Sequence, residues 1–349
     1  MIAASPRKRE TRRTVPCFAS AFVAAFLSLI LPLRTCANRQ DNPAPSGVRR
    51  DFSDLQLSDA LRQELENALN RQNYKQAEAI LVREAESHPQ STRTAKLLVT
   101  AAGIFFLDGQ YLNAAIAWKR AEAITPLDER SRFTLAMAYI ELRRRDWARP
   151  ELEKLAAAEP RNSLYAYWLA RLDYDAQNYA SAIARLQKVI ELDPNMMRAY
   201  DTLGLCFDYL GKFDEAIKNY DRAVQLNRLQ PKPSPWPHVD LAISLMALNQ
   251  LPDAEKSLRE AIEYGPKLPQ AYYQLGRALE MQGRYEEAVA PLNQASTLDP
   301  SYAEPHYLLG RIYHRLGDHA LSKAEADRFQ ELKKASEAQP LPNPSLPPR

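Results

Sequence analysis

The chain has 349 residues, 46% of them hydrophobic and 26% charged, with a formal net charge of +3; that much apolar material excludes a wholly disordered chain. Residues 1–37 hold Arg7, Lys8, Arg9, Arg12, Arg13 and Arg34 against Glu10 alone, so the remainder is mildly acidic and presents no footprint for nucleic acid. With only 10 glycines, a preponderance of Ala, Leu, Glu, Gln and Arg, and no sustained period-two alternation, the composition argues against a β fold and predicts an all-α one.

In chain order, the first element is a basic cluster from Arg7 to Arg13 followed by an almost unbroken apolar run, Val15 to Leu33, and then the small residues Thr35, Cys36 and Ala37. That is the order of a signal peptide, with cleavage after Ala37 as the favoured reading. The apolar run also reaches the lower length limit of a membrane-spanning helix, so an uncleaved anchor with its basic end in the cytoplasm is the alternative. In both readings the rest of the chain lies outside the cytosol, periplasmic or otherwise extracytoplasmic, and any membrane contact is through residues 1–37. Residues 38–57 read as a polar linker.

From residue 58 onward a period near 34 emerges in Pro89, Pro126, Pro160, Pro194, Pro266 and Pro300, three of whose intervals equal 34. Such a period signals stacked repeats. It is cleanest over 197–230, where Tyr200, Leu203, Gly204 and Phe207 have helical spacing, Gly211 breaks the run, and Phe213, Ala216, Tyr220 and Ala223 resume it. Each half is one amphipathic helix, and the unit is a helical hairpin. The same places recur as Tyr272, Leu275, Gly276, Gly283, Tyr285, Ala288, Leu292 and Ala295, then as Leu309, Gly310, Tyr313 and Gly317.

This pattern closely resembles the tetratricopeptide repeat family. The resemblance implies a right-handed superhelical solenoid of about eight helix-turn-helix units, near 58–91, 95–128, 129–162, 163–196, 197–230, 235–268, 269–302 and 303–335, preceded by a hydrophobic N-terminal helix. Residues 58–91 lack the Leu-Gly pair and read as a capping repeat. Trp147 and Pro150 disturb the second helix of the unit from 129. Between 228 and 237 four prolines replace the usual turn and predict a rigid, extended insertion. The Pro-rich tail 336–349 is expected to be disordered or polyproline-like.

The six glycines Gly204, Gly211, Gly276, Gly283, Gly310 and Gly317 are assigned structural roles, close helix approach or turns. In the family the first helix of each pair lines the concave side. The stripe one residue on from the core stripe is therefore expected to form a partner-binding groove of Tyr167, Arg171, Tyr174, Asp201, Asp208, Trp236, Tyr273, Arg277, Glu280, Tyr307, Arg311 and His314. Tyr, Arg and Trp dominate binding hot spots, which points to a protein or peptide partner.

No phosphate-cradling glycine loop, nucleophile elbow or zinc-protease motif occurs. His314 and His319 are five apart, off the three-or-four spacing of a helical metal pair, and Cys206 sits among Leu203, Leu205 and Phe207 as a buried small side chain. No catalytic residue, metal or cofactor is expected. The reading is a non-enzymatic interaction scaffold in the cell envelope; the alternative is an adaptor or accessory subunit of an exported enzyme or of a secretion or assembly machinery.

Overall fold

The computed structural model describes residues 52–87 and 90–338. Residues 1–51, 88–89 and the tail beyond Ala338 lie outside that range, and with them the leader, most of the linker, one repeat proline and the Pro-rich end. The described chain is all-helical: sixteen α-helices after a short 3-10 turn, Ser53–Leu55. They are α1 Asp59–Asn70, α2 Tyr74–Ser87, α3 Thr92–Leu107, α4 Tyr111–Glu122, α5 Glu129–Glu141, α6 Arg145–Ala158, α7 Ser163–Asp175 and α8 Tyr179–Leu192. There follow α9 Met197–Tyr209, α10 Phe213–Asn227, α11 Trp236–Ala247, α12 Leu251–Tyr264, α13 Pro269–Met281, α14 Tyr285–Leu298, α15 Ala303–Arg315 and α16 His319–Ala338. None of these helices is long and apolar enough to cross a membrane.

The helices alternate as first and second members of hairpins, and one device makes every turn between them. A residue with positive φ ends the first helix: Gln72, Gly109, Arg143, Gln177, Gly211, Asn249, Gly283 and Gly317. The following N–H then reaches back five residues, as in Gln110 N to Phe105 O at 2.8 Å and Lys212 N to Phe207 O at 2.9 Å. This left-handed cap satisfies carbonyls that the helix end would otherwise leave bare. Several first helices open on a side-chain cap, with Ser91 accepting from Thr94 N at 3.0 Å and Asp128 from Ser131 N at 2.7 Å.

Two compact bodies divide the chain, one up to Glu151 and one from Leu152, the boundary falling inside α6. In the N-terminal body Leu65, Leu81, Leu97, Leu98, Trp118 and Leu135 form the buried interior, with Ala77, Ala101, Ala114 and Ala121 at full burial between them. An ion-pair group closes one side: Arg132 meets Glu122 at 2.9 Å and Glu151 at 2.5 Å.

In the C-terminal body large side chains fill the space that small ones leave. A Cβ built on Gly204 would stand 2.6 Å from Tyr220 Cε1, and one on Gly276 would stand 2.5 Å from Leu292 Cγ. Gly310 takes the backbone of α16, and Ser322 Oγ donates to its carbonyl at 2.9 Å. From α7 onward consecutive helices pack on one another, and in addition each first helix touches the next, α7 on α9, α9 on α11, α11 on α13 and α13 on α15. The first helices of this body therefore make one continuous layer.

Three expectations need correction. Phe52, Leu55 and Leu57 are buried, so the end of the expected polar linker is part of the packed structure. Pro150 lies inside α6, which runs unbroken through it, as α14 does through Pro291. The insertion after α10 is a folded loop of turns and bends, not an extended rod. Fully buried Asn227 closes it, donating Nδ2–H to Ser234 O and accepting Ser234 N–H, both at 2.8 Å, while Pro235 seats against Gly265.

Candidate protein-binding face

The first-helix layer of the C-terminal body carries most of the stripe singled out from the sequence. On α13 and α15, Glu280 Oε1 and Arg311 Nη2 pair at 2.8 Å, and the Arg311 guanidinium lies 5.9 Å from the Tyr307 ring centre. Tyr273 packs its ring 5.3 Å from Tyr302, and burial raises the pKa of both phenols, keeping them neutral hydrogen-bonding groups. Arg277 stands among them half-buried. It makes no ion pair among the described residues and donates one long hydrogen bond, 3.4 Å, to Gln274 Oε1.

On α7 and α9 a second cluster forms. Arg171 reaches Asp175 at 3.5 Å and lies 5.3 Å from the Tyr174 ring centre. Burial pulls its pKa down, but Tyr167, Asp175, Tyr174 and Asp201 together more than offset that, so the guanidinium keeps its charge. The structure thus brings Arg171, Tyr174 and Asp201 into one electrostatic group. Tyr167 itself is only 6% exposed and belongs to the core beside Trp168, so it supports this face instead of displaying a contact surface.

The remaining stripe residues are placed differently. Asp208 accepts Ser244 Oγ–H at 2.9 Å, a link between α9 and α11. Trp236 is half-buried at the start of α11, its backbone N–H donating to Ser234 Oγ at 3.3 Å, and belongs with the insertion loop. His314 is exposed beside His319, ring centres 5.4 Å apart. No group of three His, Cys, Asp or Glu residues suited to a metal occurs among the described residues. Cys206 is fully buried, and burial pushes its thiol up to about 12, opposite to what a reactive thiolate needs.

Two groupings of side chains were not singled out from the sequence, although Tyr174 by itself was. Tyr174, Tyr179 and Tyr209 make an aromatic triangle at the helix ends, with Tyr179 and Tyr209 stacked at 5.1 Å. Each occupies a repeat position next to a turn, which was the available signal. The other feature is a polar cleft of about 360 Å³ lined by α10, α11 and α12. His238 forms part of its wall at 0% exposure, with neither ring nitrogen hydrogen-bonded, Nδ1 3.6 Å from Glu260 and the ring 5.3 Å from Tyr264.

Burial first, and Arg228 second, lower the pKa of His238, against the pull of Glu260. The native state therefore takes up this proton less readily than the unfolded chain. Stability is full above the unfolded value of about 6.5 and declines as pH falls below it toward the depressed native value. Denaturation midpoints between pH 7.5 and 5 are expected to fall for the wild type and to fall less for His238→Phe; parallel curves would remove His238 as the cause.

The helix pairs of the C-terminal body coincide with matches to known family models. The tetratricopeptide repeat models match residues 239–303, spanning α11 to α14, and 303–336, spanning α15 and α16. The chain is a tetratricopeptide repeat protein. A further model, anaphase-promoting complex, cyclosome, subunit 3, matches residues 151–223 of this repeat chain. Among curated proteins it is 25% identical over 290 residues to anaphase-promoting complex subunit 3 of Schizosaccharomyces pombe, covering 76% of this chain and 40% of that protein. The chain spans less than half the length of the curated relatives it matches.

Among solved structures, a tetratricopeptide repeat protein from Parabacteroides merdae aligns with TM-score 0.59 and 16% identity, over 74% of this chain and 99% of that one. PilW, described as a widely conserved type IV pilus biogenesis factor, aligns with TM-score 0.54 and 18% identity, over 60% of this chain and 98% of that one. At such identities these likenesses speak for the repeat fold alone.

Proposed function

We propose that this tetratricopeptide repeat protein is a non-enzymatic scaffold of the cell envelope, whose first-helix face over 163–335 holds an extended, carboxylate-bearing segment of a partner protein. Protein binding is the common role of the repeat family. The observation that carries the finer reading is Arg277. It is half-buried, free of any carboxylate partner among the described residues, and near enough to Tyr273 and Tyr302 to act electrostatically on both phenols. A guanidinium so placed offers two parallel donors to a carboxylate, and the neighbouring phenols add contact area with polar ends. The envelope location rests on the basic, apolar and small-residue order of residues 1–37.

The test is capture of partners from native extract by the wild type and by Arg277→Glu/Arg311→Glu. The second change also sets a carboxylate against Glu280, so the face turns from receptive to repulsive. Removing one hot-spot residue worth about 2 kcal/mol or more corresponds to about 30-fold weaker binding. The partner recovered by the wild type is expected to disappear from the variant. Undiminished capture would move binding to the second-helix side, the insertion loop or the tail.

A further inference from the structure

Residues 52–57, ahead of α1, lie against the first-helix side of the N-terminal body. The 3-10 turn Ser53–Leu55 packs on α3, leaving Phe52 9%, Leu55 2% and Leu57 5% exposed. What holds the segment is mostly addressed to its backbone. Arg93 of α3 donates Nε–H to Leu55 O at 3.1 Å and Nη2–H to Gln56 O at 3.2 Å, while its guanidinium is anchored by Glu84 of α2. One turn along, Lys96 pairs with Asp54 at 3.6 Å.

The place where the segment sits is the register of the binding stripe. Val99 and Gly103 stand two repeat lengths before Tyr167 and Arg171. Where α7, α13 and α15 carry Tyr and Arg, α3 thus carries a small apolar side chain and none. Beside Phe52 and Leu55 a cavity of about 240 Å³ remains, walled by Val99, Gly103, Thr134 and Trp118 among others. Trp118 is 2% exposed and its Nε1–H has no acceptor among the described residues. Apolar anchors, an arginine on successive carbonyls and one lysine for a carboxylate are the means by which a groove holds a short peptide.

We propose that the inner face of α3 is a peptide site filled in cis by residues 52–57, and that a partner segment of the same chemistry displaces them. That chemistry is a bulky apolar residue, an acidic residue two places on and a leucine three places on, as in Phe52, Asp54 and Leu55. The partner supplies an acceptor for Trp118 or fills the cavity that the chain's own segment leaves. The site is separate from the Arg277 face and does not rest on its function.

The probe is a labelled peptide with the sequence of residues 51–58, titrated by anisotropy into the wild-type chain and into Phe52→Ala/Leu55→Ala. An occupant tethered next to its site acts at an effective concentration in the millimolar range, so it suppresses binding in trans. The double variant is expected to bind at least about tenfold tighter than the wild type, and adding Lys96→Glu is expected to abolish that gain. Excess peptide is further expected to speed amide exchange at 52–57 of the wild type while α3 stays protected. Equal binding by both chains, no binding to a variant of unchanged helicity, or loss of the helical signal in the double variant would each overturn the proposal. Dimerisation of the wild type that the peptide dissolves would overturn it too, making a second copy's segment the occupant.

Discussion

Trp118→Ala is expected to be the most damaging single change in the N-terminal body, at roughly 3–5 kcal/mol. The indole is 2% exposed on α4, tilted against Phe106 at 6.2 Å, and the cavity beneath 52–57 already adjoins it. Truncation would extend that void, and the side chains lining it would have no atoms opposite them to restore the dispersion attraction of the ring. Trp118→Phe separates volume from polarity, because it keeps an aromatic ring while removing a buried N–H that has no acceptor among the described residues. Its cost is expected to be well under half that of the alanine change. Native-state amide exchange in α3 to α5 reads the effect locally, which suits a repeat chain whose parts need not unfold together.

In the C-terminal body, Leu292→Ala is expected to cost about 2–5 kcal/mol, since this side chain is fully buried where α13 and α14 cross. The partner of that knob is Gly276. A methyl there would lie 2.5 Å from Leu292 Cγ, 2.7 Å from Cδ2 and 3.3 Å from Ala288 O. Gly276→Ala alone is therefore expected to overpack, at roughly 1–3 kcal/mol. Together the two changes should cost less than their sum, because the new methyl enters space the leucine has vacated. Costs that add to within about 0.5 kcal/mol in urea denaturation would show that these helices do not meet through this pair.

The repeat was legible because its period is carried by packing. Gly204 with Tyr220, and Gly276 with Leu292, recur at fixed spacing, and helical periodicity places them on facing sides. Turns were legible only where glycine marks them. Gln72, Arg143, Gln177 and Asn249 take the same left-handed cap without that mark.

The short segment 52–57 read as linker because Phe52, Leu55 and Leu57 fit neither a helix nor a strand period over so few residues. Its burial is decided by Arg93 and Lys96, some forty residues on. At the candidate face, the stripe followed from the period, but the state of its charges did not. Arg311 is paired with Glu280 from the preceding first helix while Arg277 has no ion-pair partner among the described residues. The burial of Tyr167 is likewise a property of the stacked neighbours and not of its own helix.

The central claim is that a partner lies along the first helices of the C-terminal body. Site-specific photocrosslinking tests it most directly, with a photoreactive phenylalanine placed either at Tyr307, 52% exposed on α15, or at exposed Thr297 on the second helix α14. The partner is predicted to crosslink from position 307 and not from 297. Crosslinking from 297 with none from 307 would contradict the account.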